Sequence, residues 1–157
     1  MSKAGALHTV AGSTVTRRSP RTYTHAVVAD YDQKSQAEYN LKWATEQAID
    51  SWDYHHAVAK KNVGDAFISG GSFGGKPFTY DAHHIEESRT FAAAHPDRDA
   101  YIGGQAAAAV QRAMARPDGE LCVLQWSMSE RNAAKGMGKF TRAGIRNIRV
   151  VPVSRKG

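Results

Sequence analysis

Neither end of this chain contains an acid. Residues 1–22 hold Lys3, Arg17, Arg18 and Arg21 without an Asp or Glu, and residues 131–157 hold Arg131, Lys135, Lys139, Arg142, Arg146, Arg149, Arg155 and Lys156, again without one. All 15 carboxylates of the 157-residue chain lie between Asp30 and Glu130, so the net charge of +6 conceals a basic, acidic, basic order. Charges sorted this way are not cancelled by their sequence neighbours, and the fields of the two ends add toward a polyanion. Other absences narrow the class. The single cysteine, Cys122, excludes an intrachain disulfide, and its place in Leu121-Cys122-Val123-Leu124 reads as a small core side chain. No run approaches the roughly 20 apolar residues of a membrane span, and the start lacks the apolar stretch of a signal peptide, so the expectation is a cytoplasmic protein. There is no HExxH or cysteine-rich zinc spacing, and no helix-turn-helix, RRM or zinc-finger signature.

What is present points to an α+β fold, with α/β as the alternative. The expected organisation is a basic flexible arm over 1–21, a single domain over 22–154 and a basic tail over 155–157. The arm is small, polar and basic, with little to bury against the entropy of ordering it. β-branched and aromatic residues predict a first strand over 22–29. Ser35 with Glu38 reads as a capping box opening a helix to about Lys61, with Leu41, Ala44, Ala48, Trp52, His55 and Ala59 on its core face. Short β-prone runs flank the glycines of 70–75 and predict a hairpin. Helices follow over 82–94, stopped by Pro96, and over about 99–116. After the turn Pro117-Asp118-Gly119, a strand over 120–126, a capping box Ser127…Glu130, a helix to Ala143, Gly144 beyond its end and a strand over 146–153 form a βαβ unit. The expectation is a mixed sheet with two to four helices packed on it.

The last helix carries the main candidate site. Arg131, Lys135, Lys139 and Arg142 are spaced i, i+4, i+8, i+11 and form one exposed cationic ridge, while Ala133, Met137 and Phe140 face the sheet. Phosphates would relieve the repulsion along such a ridge and add counterion release to the binding free energy. Arg146 and Arg149 on the following strand extend the site. Trp126, at the end of the preceding strand, is the aromatic placed to join Arg131 and Lys135 as a stacking platform, or else packs at the rim. Gly136 and Gly138 each cost the helix roughly 0.8–1.0 kcal/mol relative to Ala, an expense that close packing on the sheet explains.

Other motifs weigh less. Gly70-Gly71-Ser72-Phe73-Gly74-Gly75-Lys76 has the glycine and lysine spacing of a phosphate-binding loop, yet Pro77 stands where the motif requires Ser or Thr, and a hairpin is the better reading. The doublets His55-His56 and His83-His84 each offer one ligand to a given centre, because helix neighbours point about 100° apart. His83 and Glu87 at i, i+4 could meet one cation, with Asp53, His56 or Glu86 brought in by folding. His25, mid-strand, is an acid–base candidate if Asp30, Asp53 or a serine pairs with it.

The reading that joins these features is a non-enzymatic, basic protein that associates with the phosphate backbone of nucleic acid or another acidic polymer, with little sequence specificity and no metal or cofactor. The alternatives are a protein-binding accessory or assembly protein of phage or plasmid type, self-associating through its basic ends, and a small histidine- or metal-dependent enzyme.

Overall fold

The computed structural model describes residues 5–67 and 72–157, and the first part of the glycine segment, 70 and 71, lies outside the described residues. The chain forms two compact units, one of Met1–Tyr39 with Gln111–Gly157 and one of Asn40–Val110.

The first unit is built on a five-stranded sheet of β1 (Ala6–Val10), β2 (Thr16–Ser19), β3 (His25–Tyr31), β6 (Leu121–Ser127) and β7 (Ile145–Lys156), in the order β2-β1-β7-β3-β6. Every neighbouring pair is antiparallel, which corrects the expected mixed sheet. The class is α+β. The strand–helix–strand unit exists as β6, α4 (Glu130–Met137) and β7, and because β3 lies antiparallel between β6 and β7, those two run the same way without touching. Val27, Val28 and Ala29 are completely buried, and a strand buried on both faces belongs at a position with a neighbour on each side.

The expected flexible arm is largely a hairpin. Residues 6–19 form β1 and β2, and β1 also pairs with β7, Leu7 opposite Lys156 and Val10 opposite Val153. Composition hid this because the apolar stock is sparse but sits on alternate residues: Ala6, His8 and Val10 point to one face and are buried. Gly5 has no room for a side chain, since a Cβ there would run into the Ser19–Pro20 backbone.

Register assigns the two faces of the sheet. Val10, Ala26 and Val28 form a buried cluster with Val15, Leu121, Val123, Trp126, Val151 and Val153 packed around it. Val27, Gln125 and Val150 stand opposite one another on the other face. There α4 packs, with Ala133 buried and Gly136 so close that a Cβ would meet the Gln125 amide. Close packing is thus the reason for Gly136, as expected, but not for Gly138, where a Cβ would meet nothing within 4 Å. Ser129, and not Ser127, caps α4: its hydroxyl accepts from Asn132 N at 3.1 Å, while Ser127 remains a buried strand residue. The helix ends at Met137 instead of Ala143, because Gly138 closes it and Lys139 and Phe140 continue as tight turns onto Gly136 O and Met137 O.

Two helices connect the units along the chain. α1 (Gln33–Val58) begins two residues before the expected Ser35 cap: Asp32 Oδ1 accepts from Ser35 N at 3.1 Å, and the Ser35 hydroxyl instead accepts from Gly144 N. α3 (Arg98–Ala115) brings the chain back. In the second unit Asp81 caps α2 (Ala82–Ala94), accepting from His84 N. The glycine segment turns β4 (Ser72–Phe73) into β5 (Lys76–Pro77) through Gly74 and Gly75, both at positive φ, as the hairpin reading expects, and Lys76 and Pro77 lie in a strand, not at the start of a helix. Ala48 and Val58 are the buried residues of α1, with Trp52 and His55 half-buried, whereas Leu41 of the expected core face is exposed. No helix among the described residues is long and apolar enough to cross a membrane.

Candidate nucleic-acid interface

The sheet joins the two basic termini. Arg17 of β2 and Arg155 of β7 both pair with His8 of β1, so the three side chains form one row on one face. Arg18 and Lys156 both pair with Leu7 and form a second row on the opposite face. All four basic residues are exposed, and each row spans two strand spacings, roughly 10 Å. No carboxylate within ion-pair distance faces any of them among the described residues. Arg18 donates to Gly5 O at 2.9 Å, and the Arg17 guanidinium lies 5.2 Å from the centre of the Tyr23 ring.

Behind the first row stands an aromatic wall. Tyr23 is buried, 5.2 Å from the His8 ring and 5.9 Å from Trp126. His8 is fully buried, with Nε2 accepting from Tyr23 N at 3.2 Å; its hydrogen is therefore on Nδ1, which has no partner among the described residues. Trp126 joins this group through Tyr23, not through Arg131 and Lys135 as expected. It points to the Ala26 face, whereas α4 lies on the Gln125 face, and successive strand residues cannot share one.

The expected four-residue ridge is shorter. Arg131 and Lys135 lie one turn apart on α4 and are exposed, but the helix has ended before Lys139 and Arg142, which are exposed on the loop leading to β7. α4 shares its face of the sheet with Arg18 and Lys156. None of Arg131, Lys135, Lys139 and Arg142 forms an ion pair among the described residues.

Arg146 and Arg149 differ from these cations in being paired with carboxylates. Arg146 makes a two-point pair with Asp118, at 2.8 and 3.0 Å, and lies 3.6 Å from Asp32; Arg149 bonds Asp30 at 3.0 Å. These cations are neutralised by the acids of the middle segment. The pairing is strong enough to hold the Asp118 carboxyl at about 2, below its ordinary 3.8, through the Arg146 hydrogen bonds first and then the Gln33 amide. Asp30 is lowered by its hydrogen bond from Asn147 and then by Arg149. Sequence distance hid these pairs, which join positions 28 and 119 residues apart.

The remaining candidates are engaged in packing. In the second unit His56 stacks on Trp52 with centroids 3.6 Å apart, and both donate to His95 O, at the end of α2. His55 stacks on Phe91 and meets the buried Ser88 hydroxyl at 2.9 Å. His83 and Glu87 are exposed and 4.0 Å apart. No group of three or more potential ligands is arranged to hold a metal ion among the described residues. His25 Nδ1 meets the Thr24 hydroxyl at 3.0 Å, while Asp30 is committed to Asn147 and Arg149. A cavity of about 550 Å³ in the first unit contains Cys122, but Arg116 inside it is already held by Glu120 and the Cys122 sulfur. A wider groove of about 630 Å³ in the second unit includes Val63, Ile85 and Arg89, whose guanidinium closes the end of α1 by donating to Ala59 O and Lys61 O.

Comparison of the chain with models of known families, with curated proteins and with solved structures returns no match.

Proposed function

We propose that this protein associates with the phosphate backbone of nucleic acid and reads little or no sequence. The observation that supports the reading is the register of β2, β1 and β7, which brings two acid-free termini together as rows of exposed cations, one on each face of the same end of the sheet. Arg17, Arg18, Arg155 and Lys156 form the centre of the contact, Arg131 and Lys135 extend it over α4, and Lys139 and Arg142 lie beyond. Arg146 and Arg149 take no part. Cations spread over two rows and a helix suit a flexible anionic chain, since each phosphate neutralised releases condensed counterions. On this reading the protein is not an enzyme, and it works in the cytoplasm, where nucleic acid is at hand.

Fluorescence anisotropy with labelled oligonucleotides of unrelated sequence, single- and double-stranded, tests this. Affinity is expected to vary little with sequence and to fall steeply between about 50 and 200 mM salt. Arg17→Glu combined with Arg155→Glu should lower the affinity and make that salt dependence shallower. Affinity unchanged in the double variant would refute the proposal, and binding confined to acidic proteins would move the surface to a different class of partner.

A further inference from the structure

The two edges of the sheet are chemically unlike. β2, at one edge, carries Arg17 and Arg18. Charged residues on an edge strand keep another strand from pairing there. β6, at the other edge, is Leu121-Cys122-Val123-Leu124-Gln125-Trp126-Ser127, without one charge, proline or glycine. Its inner side is bonded to β3, and among the described residues no backbone hydrogen bond reaches Leu121–Trp126 from the outer side. Leu121, Val123, Leu124 and Trp126 are only half-buried, and the exposed Met128 follows directly.

We infer that β6 is a self-association edge, and that two copies of this chain pair β6 to β6 antiparallel, joining their sheets into one. A free edge of amides and carbonyls is a template on which another strand can pair, and the chemistry selects which. Pairing β6 with β2 of another copy would set arginines beside a strand with no acid and would be heterologous, adding copies without closure. Pairing β6 with itself brings uncharged strand to uncharged strand and closes as a two-fold dimer. Leu124, at the middle of the strand, is the extra residue of a bulge, since Gln125 pairs with Val27 and Val123 with Val28. The inference goes beyond nucleic-acid association and stands without it, because β6 contributes no residue to the basic rows.

Size-exclusion chromatography with light scattering, run from low to high micromolar protein at low and at molar salt, tests it. The expected result is a dimer that persists at high salt. Leu124→Lys, which puts a charge in the middle of the uncharged edge, should weaken it by about tenfold or more, while Thr16→Lys on the β2 edge should leave it unchanged. Should Leu124→Lys fail to fold, amide exchange of the wild type decides: the outer amides of β6 should gain protection as concentration rises. A monomer throughout, a dimer that dissolves in salt, a dimer indifferent to Leu124→Lys, or β6 amides insensitive to concentration would each overturn the inference.

Discussion

Arg17 and Arg155 flank His8 on one face of the sheet, one from each neighbouring strand. The terminal segments are more than a hundred residues apart in sequence, yet β1 makes them neighbours. This is why charge on the sheet end and charge at the start of β7 should behave differently on substitution. Arg17→Ala or Arg155→Ala should weaken binding alike on every sequence and lower the slope of log affinity against log salt by about 1 each. Arg149→Ala should leave that slope unchanged and cost about 1 kcal/mol or less of stability, since its ion pair with Asp30 is partly exposed. Parallel salt titrations and denaturant melts of the three variants separate the two behaviours.

Much of the fold was readable from local chemistry, and the exceptions share a cause. α2 begins and ends as read, because Asp81, the helix-forming run and Pro96 all act within a few residues. The hairpin at Gly74 and Gly75 likewise follows from two residues that accept positive φ. What local chemistry could not give is pairing. Ser35 looks like a cap but is taken by Gly144, 109 residues away, and Asp32 does the capping. β3 inserts between β6 and β7 because it meets both, a choice made by long-range packing. In the candidate site, the cations of β2, α4 and the end of β7 were legible as an acid-free pattern. The quenching of Arg146 and Arg149 was not, because a charge count along the chain carries no information on which carboxylate folds against which guanidinium.

Ser129 caps α4 while Ser127, two residues earlier, is a buried strand residue, and substitution should tell them apart. Ser129→Ala removes the acceptor for Asn132 N and should destabilise the first unit by about 1 kcal/mol. Ser127→Ala should act through a different loss, that of the Gln125 Nε2 hydrogen bond at 2.8 Å, and leave helix content unchanged. Far-UV circular dichroism beside chemical denaturation distinguishes a frayed helix from a loosened strand.

Acid should destabilise the first unit through its paired carboxylates. Asp118 titrates at about 2 in the folded protein against an ordinary 3.8, and Asp30 is shifted the same way. A carboxyl lowered by folding adds stability that is fully present above its unfolded value and is lost as pH falls through the folded one. Stability should therefore be level above about pH 5 and decline from about pH 4 toward pH 2. Asp118→Asn should make that decline shallower while lowering the plateau, which melts at a series of pH values would reveal.

Asn147 carries the only positive φ among the non-glycine described residues, at 55°. It lies where β7 holds one residue more than β3, between the pairs Val28–Arg149 and Asp30–Arg146, and its amide donates to Asp30 at 3.0 Å. Asn tolerates this conformation better than other side chains. Asn147→Gly should keep the bulge and lose only the hydrogen bond, whereas Asn147→Val should cost about 1–2 kcal/mol more from backbone strain. Equal stability of the two variants would show that the strand relaxes its register instead.

Gly136 sets helix propensity against packing, and the sign of the outcome depends on one neighbour. Alanine would favour α4 by about 0.8–1.0 kcal/mol, yet its Cβ would displace the Gln125 amide. That displacement breaks the hydrogen bond to the buried Ser127 hydroxyl, and a buried polar group left without its partner costs about 1–3 kcal/mol. Gly136→Ala alone should therefore be destabilising. In a Gln125→Ala background the obstruction is gone and the bond already lost, so the same substitution should become stabilising. A double-mutant cycle read by urea denaturation tests for this reversal; additive effects would mean that α4 and β6 are not in the close contact that excludes a side chain at Gly136.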